Sequence, residues 1–289
     1  MISVIITAYN VEKYVKQAIE SVLSQSFENL ECIVVLDCPT DKTEEVVTSI
    51  NDKRISLVKN NTNVGAGLSR RIGVQHSKGE HILFLDGDDW LEPDFLGRLH
   101  AKAVETDADI VSGGVTIRYV DGSYEIQCCG DYVSEGYDKV VKFWGQKTVF
   151  MNNRLIKRSM FDKVLYSHRR YIEDTPTIIP MLWYANKVVY IDEVGYNYRM
   201  NPESLTHTSD FFKEFVFKGL CYCDLIEFFN KKDPKMYKYL DIRTFANIIF
   251  QQMQNHHFTT EEINRYPAEW AELMMRLSNL ICITQIKFK

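Results

Sequence analysis

Short, almost wholly apolar runs alternate with amphipathic stretches over the first hundred residues, and this alternation limits the folds open to the chain. The apolar runs predict strands at residues 2–8, 30–37, 55–58 and 81–85. The amphipathic stretches predict helices at residues 11–24, 41–50, 66–76 and 93–106. Strands built of Ile, Val and Leu are covered on both faces, so the pattern predicts a mostly parallel α/β sheet with helices on either side.

Polar side chains cluster where three of these predicted strands end. They lie in the segment Thr7-Ala8-Tyr9-Asn10 at the first strand, at Asp37 after the second, and in the acidic run from Asp86 to Asp89 after the fourth. Open α/β sheets bind ligands beyond the carboxyl ends of their strands. Turn chemistry alone does not explain three polar groups at one edge, so a binding site is expected there.

The acidic run is the most specific of these groups. Asp86, Asp88 and Asp89 directly follow a buried strand, and Gly87 lets the backbone bend between them. Carboxylates at an exposed strand end are the hard oxygen ligands that Mg²⁺ or Mn²⁺ prefers when it also binds phosphate oxygens. The alternative is a hairpin turn at Asp86-Gly87 with solvated acids, and this segment by itself leaves both interpretations open.

Composition narrows the class of protein. The chain has 289 residues, of which 45% are hydrophobic and 25% charged, as expected for a globular protein with an ample core. A formal net charge of −5 without a basic block argues against a nucleic-acid partner. Seven scattered cysteines exclude a complete disulfide framework and favour a reducing compartment. Without a signal peptide or a membrane-spanning apolar stretch, we expect a cytoplasmic protein, with the inner face of the membrane as an alternative.

Five separate signals follow one another along the chain. They are S-V-I-I-T-A-Y-N at 3–10, N-x-G at 63–65, Arg70 with Gly73, G-E-H-I-L-F-L-D-G-D-D at 79–89, and Glu173-Asp174. In these motifs and their order the chain resembles glycosyltransferase family 2 over roughly residues 2–208. The resemblance implies the Rossmann-like GT-A fold. It also implies transfer of a sugar from a nucleotide diphosphate donor to an acceptor hydroxyl, with inversion at the anomeric carbon.

The resemblance also implies a nucleotide pocket, with UDP as the commonest nucleotide. Its residues would be Thr7, Ala8, Tyr9, Asp37, Arg70 and Asp86. Asp86 and Asp88 would hold Mn²⁺ or Mg²⁺ and the nearby ribose, and His207 would complete the metal shell or contact the diphosphate. The alternative for His207 is an exposed loop position without a ligand. The alternative for Arg70 is a solvated position on a helix.

A base is also required, because an acceptor hydroxyl is a poor nucleophile until its proton is removed. In the family the aspartate of the Glu-Asp pair is that base, which implies a catalytic role for Asp174 and a supporting one for Glu173. From the local sequence, Asp174 is equally the N-cap of a helix that begins at Thr175-Pro176.

The chain departs from the family at two places. Residues 35–41 read V-L-D-C-P-T-D where the family commonly has V-D-D-G-S-T-D, so Leu36, Cys38 and Pro39 replace an acid, a glycine and a serine. Asp37 remains at the position that contacts the nucleotide base, but its surroundings differ. Arg71 stands where the family often has asparagine.

Beyond Glu173-Asp174, residues 188–191 and 196–199 are predicted to be two strands, and helical stretches follow from about residue 211. We therefore expect a catalytic domain at 1–210, with a nucleotide part near 1–110 and an acceptor part near 111–210, and a helical extension at 211–289. The apolar C-terminal end would pack on the domain or on a second subunit in a homodimer. Peripheral contact with a membrane that holds a lipid-linked acceptor is the alternative.

The sequence thus predicts a metal-dependent inverting glycosyltransferase that uses a nucleotide-sugar donor and a saccharide or lipid-linked saccharide acceptor, as in bacterial surface polysaccharide assembly. A sugar nucleotidyltransferase is one alternative, but it would favour a glycine-rich, basic phosphate loop after the first strand, which residues 7–11 lack. A non-catalytic module that binds sugar nucleotides or polysaccharide is the other. The presence of Asp88 and Asp174, the metal-binding and base residues implied by the resemblance, argues against a non-catalytic module.

Overall fold

The computed structural model describes residues 1–140, 151–164, 166–167, 169, 171–200, 210–238 and 258–284. The chain divides into two compact units, Met1–Ser204 and Leu205–Lys289. The strands are β1 (Ile2–Ala8), β2 (Leu30–Leu36), β3 (Ile55–Lys59), β4 (His81–Asp86), β5 (Trp90–Leu91), β6 (Ile110–Arg118), β7 (Tyr124–Gln127), β8 (Tyr132–Ser134), β9 (Arg154–Lys157) and β10 (Val188–Arg199). The helices are α1 (Val15–Leu23), α2 (Thr43–Thr48), α3 (Ala66–His76), α4 (Phe95–Thr106), α5 (Thr175–Tyr184), α6 (Phe211–Lys232), α7 (Thr260–Ile263) and α8 (Pro267–Thr284).

The first half of the sheet is parallel, in the order β3-β2-β1-β4. Thr7 of β1 lies beside Val35 of β2 on one side and beside Asp86 of β4 on the other. The carboxyl ends of these strands therefore meet at one edge. The α/β class with helices flanking a large sheet is confirmed.

The second half of the sheet continues as β9-β6-β10-β5, and here antiparallel pairs outnumber the parallel pair β6–β10. The prediction of separate strands at 188–191 and 196–199 is wrong, because β10 runs unbroken from Val188 to Arg199. Its register against β6 shifts between Tyr190 and Tyr196. A bulge of this kind lets one strand continue through the more polar residues between the two predicted strands.

Both faces of the parallel half are covered, as the apolar strands predicted. Ile2, Val4 and Ile6 of β1 belong to one core cluster with side chains of α1 and α4. Ile5 points to the opposite face, where a Cβ added at Gly73 of α3 would overlap its Cγ2. The glycine therefore lets α3 lie directly against β1.

The second unit is helical where the structure describes it. Phe212 and Phe215 of α6 make ring contacts with Trp270 of α8. Arg276 of α8 forms ion pairs with side chains of α6 and α8, namely Asp224, Glu227 and Glu272. Within the described residues, the helices are too short or too polar to cross a lipid bilayer.

Candidate active site

The residues from Asp86 to Asp89, here named the acid turn, form a tight turn that begins at the last residue of β4. The Asp89 N–H donates to the Asp86 carbonyl (3.0 Å) and the Gly87 N–H to the Thr7 carbonyl (2.9 Å). A Cβ at position 87 would lie 2.9 Å from Val11 Cγ2 and 3.0 Å from the Thr7 oxygen, so the turn requires glycine. The turn leads into β5, which pairs with β10, so it does not form a hairpin with β4.

The acids of the turn are held by protein groups, and Asp89 is buried rather than solvated as the hairpin alternative would have it. Asp86 Oδ1 accepts from Thr7 Oγ1 (3.1 Å) and Arg70 Nη2 (3.1 Å), while its Oδ2 accepts from Asn152 Nδ2 (2.7 Å). Asp89 is buried and accepts from the Tyr196 hydroxyl. Burial, reinforced by the charges of Asp88 and Asp86, raises the pKa of Asp89 well above its ordinary value.

Arg199, at the end of β10, holds the same turn from the side of the second half-sheet. Its N–H donates to Asp89 Oδ1 (2.8 Å) and its Nε to the Asp88 carbonyl (2.8 Å). The guanidinium lies 4.6 Å from the ring centroids of both Tyr14 and Trp90. Stacking between two rings limits the conformations of this side chain, so the acid turn has a rigid support.

Arg70 of α3 occupies the centre of the site. Its side chain is 3% exposed, and Nη1 donates to Glu173 Oε1 (3.0 Å) and to Asp174 Oδ1 (2.5 Å). With its bond to Asp86, one guanidinium joins the acid turn to the Glu-Asp pair. The alternative of a solvated Arg70 does not hold, because the side chain is buried and these carboxylates compensate its burial. Arg71 is exposed.

Glu173 and Asp174 stand at the start of α5. Asp174 occupies the N-cap position, but its side chain makes no capping hydrogen bond. Its Oδ2 instead accepts from the Met151 N–H (3.4 Å). The preceding Ile172 has φ 57°, a left-handed conformation that is unfavourable for a β-branched residue. The strained backbone lies directly before the acids, and their carboxylates face Arg70 rather than the helix.

Burial sets the protonation of this pair. It raises the pKa of Glu173 to about 7, assisted by the charge of Asp174 and opposed by Arg70. It also raises the pKa of Asp174, again against the opposing effect of Arg70. Arg70 thus favours the ionised state of both acids, which is the state in which either accepts a proton.

The other predicted nucleotide residues lie at the same sheet edge. Ala8 is buried and Tyr9 is exposed. Asp37 is buried and accepts from Asn60 Nδ2 (2.8 Å), the Val64 N–H (2.9 Å) and the Gly65 N–H (2.8 Å). It therefore ties the end of β2 to the N-x-G segment at the start of α3, a structural role that the sequence did not indicate.

The donor set fits a divalent ion that shares its shell with phosphate oxygens. Among the residues the structure describes, no group of three or more His, Cys, Asp or Glu side chains could hold a metal by itself. Mg²⁺, however, is usually bound by one or two carboxylates plus substrate phosphates. Asp88, half-buried in the acid turn, and Asp86 supply such carboxylates. His207 lies outside the described residues.

Two side chains of the site escaped the sequence analysis. Asn152 and Tyr196 both bond within the acid turn, through Asp86 and Asp89 respectively. Asn152 follows a stretch without a clear pattern, and Tyr196 reads as an ordinary strand residue. The N-N pair at 152–153, ahead of a short apolar run, was the only local signal.

Comparisons with known proteins identify the family of this chain. The glycosyl transferase family 2 model matches residues 3–165, more than half of the chain. Glycosyltransferase GlyG of Streptococcus pneumoniae is 28% identical over 245 residues, which cover 80% of this chain and 79% of GlyG. Escherichia coli WfaP, a UDP-Glc:alpha-D-GlcNAc-diphosphoundecaprenol beta-1,3-glucosyltransferase, is 37% identical over 106 residues, covering 36% of this chain and 42% of WfaP.

The fold has solved counterparts as well. S. aureus TarS 1-349 in complex with UDP-GlcNAc superposes with a TM-score of 0.63 at 19% identity, covering 96% of this chain and 81% of TarS 1-349. At this identity the likeness concerns the fold, which is the predicted GT-A fold. The match of the family model over more than half of the sequence shows that the chain is a glycosyltransferase belonging to glycosyltransferase family 2.

Proposed function

We propose that the protein transfers a sugar from a UDP-sugar to an acceptor hydroxyl, with inversion and with a divalent metal, in the assembly of a bacterial surface polysaccharide. The observation that carries the proposal is the triple contact of Arg70. One buried cation joins Asp86, at the edge where donors bind in such sheets, to Glu173 and Asp174. The donor side and the base side of a single displacement are thereby adjacent.

Asp174 is the base in this proposal. Its carboxylate is held by Arg70 and the Met151 N–H, so it has a defined orientation without serving as a helix cap. The acceptor oxygen attacks the anomeric carbon from the side opposite the leaving UDP while Asp174 removes its proton. Attack from that side inverts the configuration of the anomeric carbon. Glu173 supports Asp174 by sharing Arg70 with it.

Asp88 would hold Mn²⁺ or Mg²⁺, while Asp86 would contact the ribose as well as the ion. When bound, the ion supplies positive charge that stabilises the leaving diphosphate. Support for this assignment is electrostatic. The carboxylates of the acid turn and of the Glu-Asp pair share one buried cation, Arg70. Without a metal ion, a diphosphate bound beside them would therefore meet an excess of negative charge.

A UDP-sugar donor and a lipid-linked saccharide acceptor are supported by the relatives. WfaP carries UDP-Glc and a diphosphoundecaprenol-linked sugar in its name, and TarS was solved with UDP-GlcNAc. Asp37, which by family resemblance contacts the base, uses its carboxylate for three internal hydrogen bonds, and a carboxylate offers about four acceptor sites. A base N–H would take the fourth.

The test is a donor screen that follows release of nucleoside diphosphate with Mn²⁺ or Mg²⁺ in the presence of saccharide acceptors. We expect UDP release, abolished by a chelator and strongly reduced in Asp88→Asn. The anomeric configuration of the product, read by NMR, tests inversion.

Other outcomes would identify the alternatives. Binding of sugar nucleotides without release for every donor and acceptor would favour a binding module. Release of pyrophosphate from a nucleoside triphosphate and a sugar phosphate would favour a nucleotidyltransferase. Tighter binding of GDP or CMP than of UDP would contradict the assignment of the base site.

A further inference from the structure

Asn152 carries an unsatisfied acceptor at the centre of the site. The side chain is 4% exposed, and its Nδ2 donates to Asp86 Oδ2 (2.7 Å) and to the Tyr196 hydroxyl oxygen (3.2 Å). Its Oδ1 is buried and has no hydrogen-bond partner. Since a buried polar atom left unpaired is unfavourable, Oδ1 has its acceptor capacity available for a bound molecule.

The orientation of this amide is determined by its neighbours. A flipped amide would place Oδ1 against the Asp86 carboxylate, and two acceptors would repel each other. The Tyr196 hydroxyl donates its own proton to Asp89, so toward Asn152 it acts only as an acceptor. Both contacts therefore require the NH₂ group, and a flip cannot satisfy Oδ1.

The position of Asn152 identifies the partner. The preceding Met151 N–H bonds to Asp174, while the Asn152 side chain bonds to Asp86. These two consecutive residues thus connect the base to the acid turn. In a single displacement the transferred sugar lies between the leaving diphosphate and the base.

We propose that Asn152 Oδ1 accepts a hydrogen bond from a hydroxyl or amide N–H of the donor sugar, and so selects the donor sugar. The inference rests on the proposed function, because it assigns a subsite within that donor pocket. A site built to bond a substrate hydroxyl discriminates against the analogue that lacks it.

The neighbouring Asn153 is a matched control. It is 3% exposed, its Nδ2 donates to the Gly113 carbonyl (2.5 Å), and its Oδ1 is likewise buried without a partner. The two asparagines thus share residue type, burial and an unpaired oxygen. They differ in that only Asn152 contacts Asp86.

The test measures calorimetric affinities, with Mn²⁺ present, for UDP, UDP-Glc, UDP-GlcNAc and the monodeoxy derivatives of both sugars. For the wild-type protein we expect one deoxy position to weaken binding about tenfold, as for one lost neutral hydrogen bond. In Asn152→Ala the ratio between parent and deoxy donor should fall to about one, since the partner is gone. In Asn153→Ala the wild-type ratio should persist.

The ratio of the affinities for parent and deoxy donor isolates the contact with the sugar. A general effect of the substitution on Asp86 would weaken the binding of UDP and of all donors alike and leave this ratio unchanged. Equal affinities for every deoxy donor, or a ratio unchanged in Asn152→Ala, would overturn the proposal and leave a bridging water as the partner of Oδ1. If Asn152→Ala does not fold, Asn152→Leu, which is close to asparagine in shape but has no acceptor, gives the same comparison. Absence of binding by every UDP ligand would instead contradict the proposed function.

Discussion

Arg70 donates to Asp86, Glu173 and Asp174 while almost wholly buried, so its guanidinium determines the charge balance of the site. Its planar fork bonds carboxylates in separate directions, which a lysine ammonium at the same place would not reproduce. By family resemblance Arg70 contacts the nucleotide. In the structure its guanidinium bonds these three carboxylates and so orients them.

We expect Arg70→Met to lower the free energy of unfolding at pH 7.5 by about 3–5 kcal/mol, the usual effect of removing one partner of a buried ion pair. The loss should shrink toward pH 5, because the uncompensated acids then bind protons. Arg70→Lys should keep more stability but lose transfer. Urea denaturation measures the stability of both variants and release of UDP measures transfer, with Arg71→Met, at an exposed neighbouring position, as the control. Equal effects at positions 70 and 71 would contradict this role.

Asp174→Asn should reduce the rate of transfer at least about a hundredfold, the lower end of the range for general base catalysis. Donor affinity should stay near normal, and the stability loss should be smaller than in Arg70→Met, because Asp86 and Glu173 still compensate Arg70 and the Asp174 side chain caps no helix N–H. Single-turnover kinetics and calorimetry separate the two quantities. Transfer within a few-fold of wild type would direct the search for the base to Glu173.

The pH dependence distinguishes the two acids further. Burial raises both pKa values, that of Glu173 to about 7, so transfer should decline as pH falls and the acids take up protons. Glu173→Gln should move this acid limb to lower pH, because a neutral amide no longer opposes ionisation of Asp174. A limb that stays in place, measured as kcat/KM against pH, would show that Glu173 does not influence the base.

At the level of elements, close contacts at glycines bring α3 and the acid turn to the edge of the sheet. A Cβ at Gly67 of α3 would lie 2.7 Å from the Ser167 carbonyl and 3.1 Å from Glu173 Cγ. A Cβ at Gly87 would press on β1. Because backbone atoms cannot move aside as a flexible side chain can, these contacts set the distance between the elements that carry Asp86, Glu173 and Asp174.

Gly87→Ala should lower the free energy of unfolding by about 1–3 kcal/mol, as overpacking does, and weaken donor binding through displacement of the acid turn. Gly97→Ala is the matched control, since a Cβ at that α4 position would meet only ordinary contacts at 3.7 and 3.9 Å. It should stabilise the protein by roughly 0.5–1 kcal/mol. Thermal denaturation of both variants measures the change in Tm. Equal changes for the two variants would contradict the close contact at residue 87.

For the molecule as a whole, stability should depend on pH through His81, at the start of β4. The ring is 4% exposed, both of its nitrogens lack hydrogen-bond partners, and it lies 5.6 Å from the His100 ring. Burial lowers the pKa of His81 below its ordinary 6.5. The unfolded chain thus binds the proton first, and stability falls as pH drops below about 6.5.

The slope for one proton is at most about 1.4 kcal/mol per pH unit. His81→Phe should remove this component, so the variant should lose less stability than wild type between pH 6.5 and pH 5. Urea unfolding at several pH values measures the difference. Parallel curves would contradict a buried neutral His81. Glu173→Gln is the informative control, because the raised pKa of Glu173 acts in the opposite direction.

The sequence by itself determined the parallel half of the sheet and the class of the protein. Apolar strands, intervening helices and the acids after β4 are local patterns, and local patterns report which faces of an element are buried. The sequence shows that Cys38 stands where the family commonly has glycine. Only the structure shows that Cys38 adopts φ 57° there, a conformation that usually selects glycine.

The tertiary structure alone decided how the site is assembled. Arg70 and Asp174 are separated by 104 positions, and Asp86 and Asn152 by 66, so no periodicity in the chain relates them. The N-cap position of Asp174 was predictable, but the direction of its carboxylate was not. That direction depends on a buried cation supplied by another helix, and a long-range ion pair leaves no trace in local sequence.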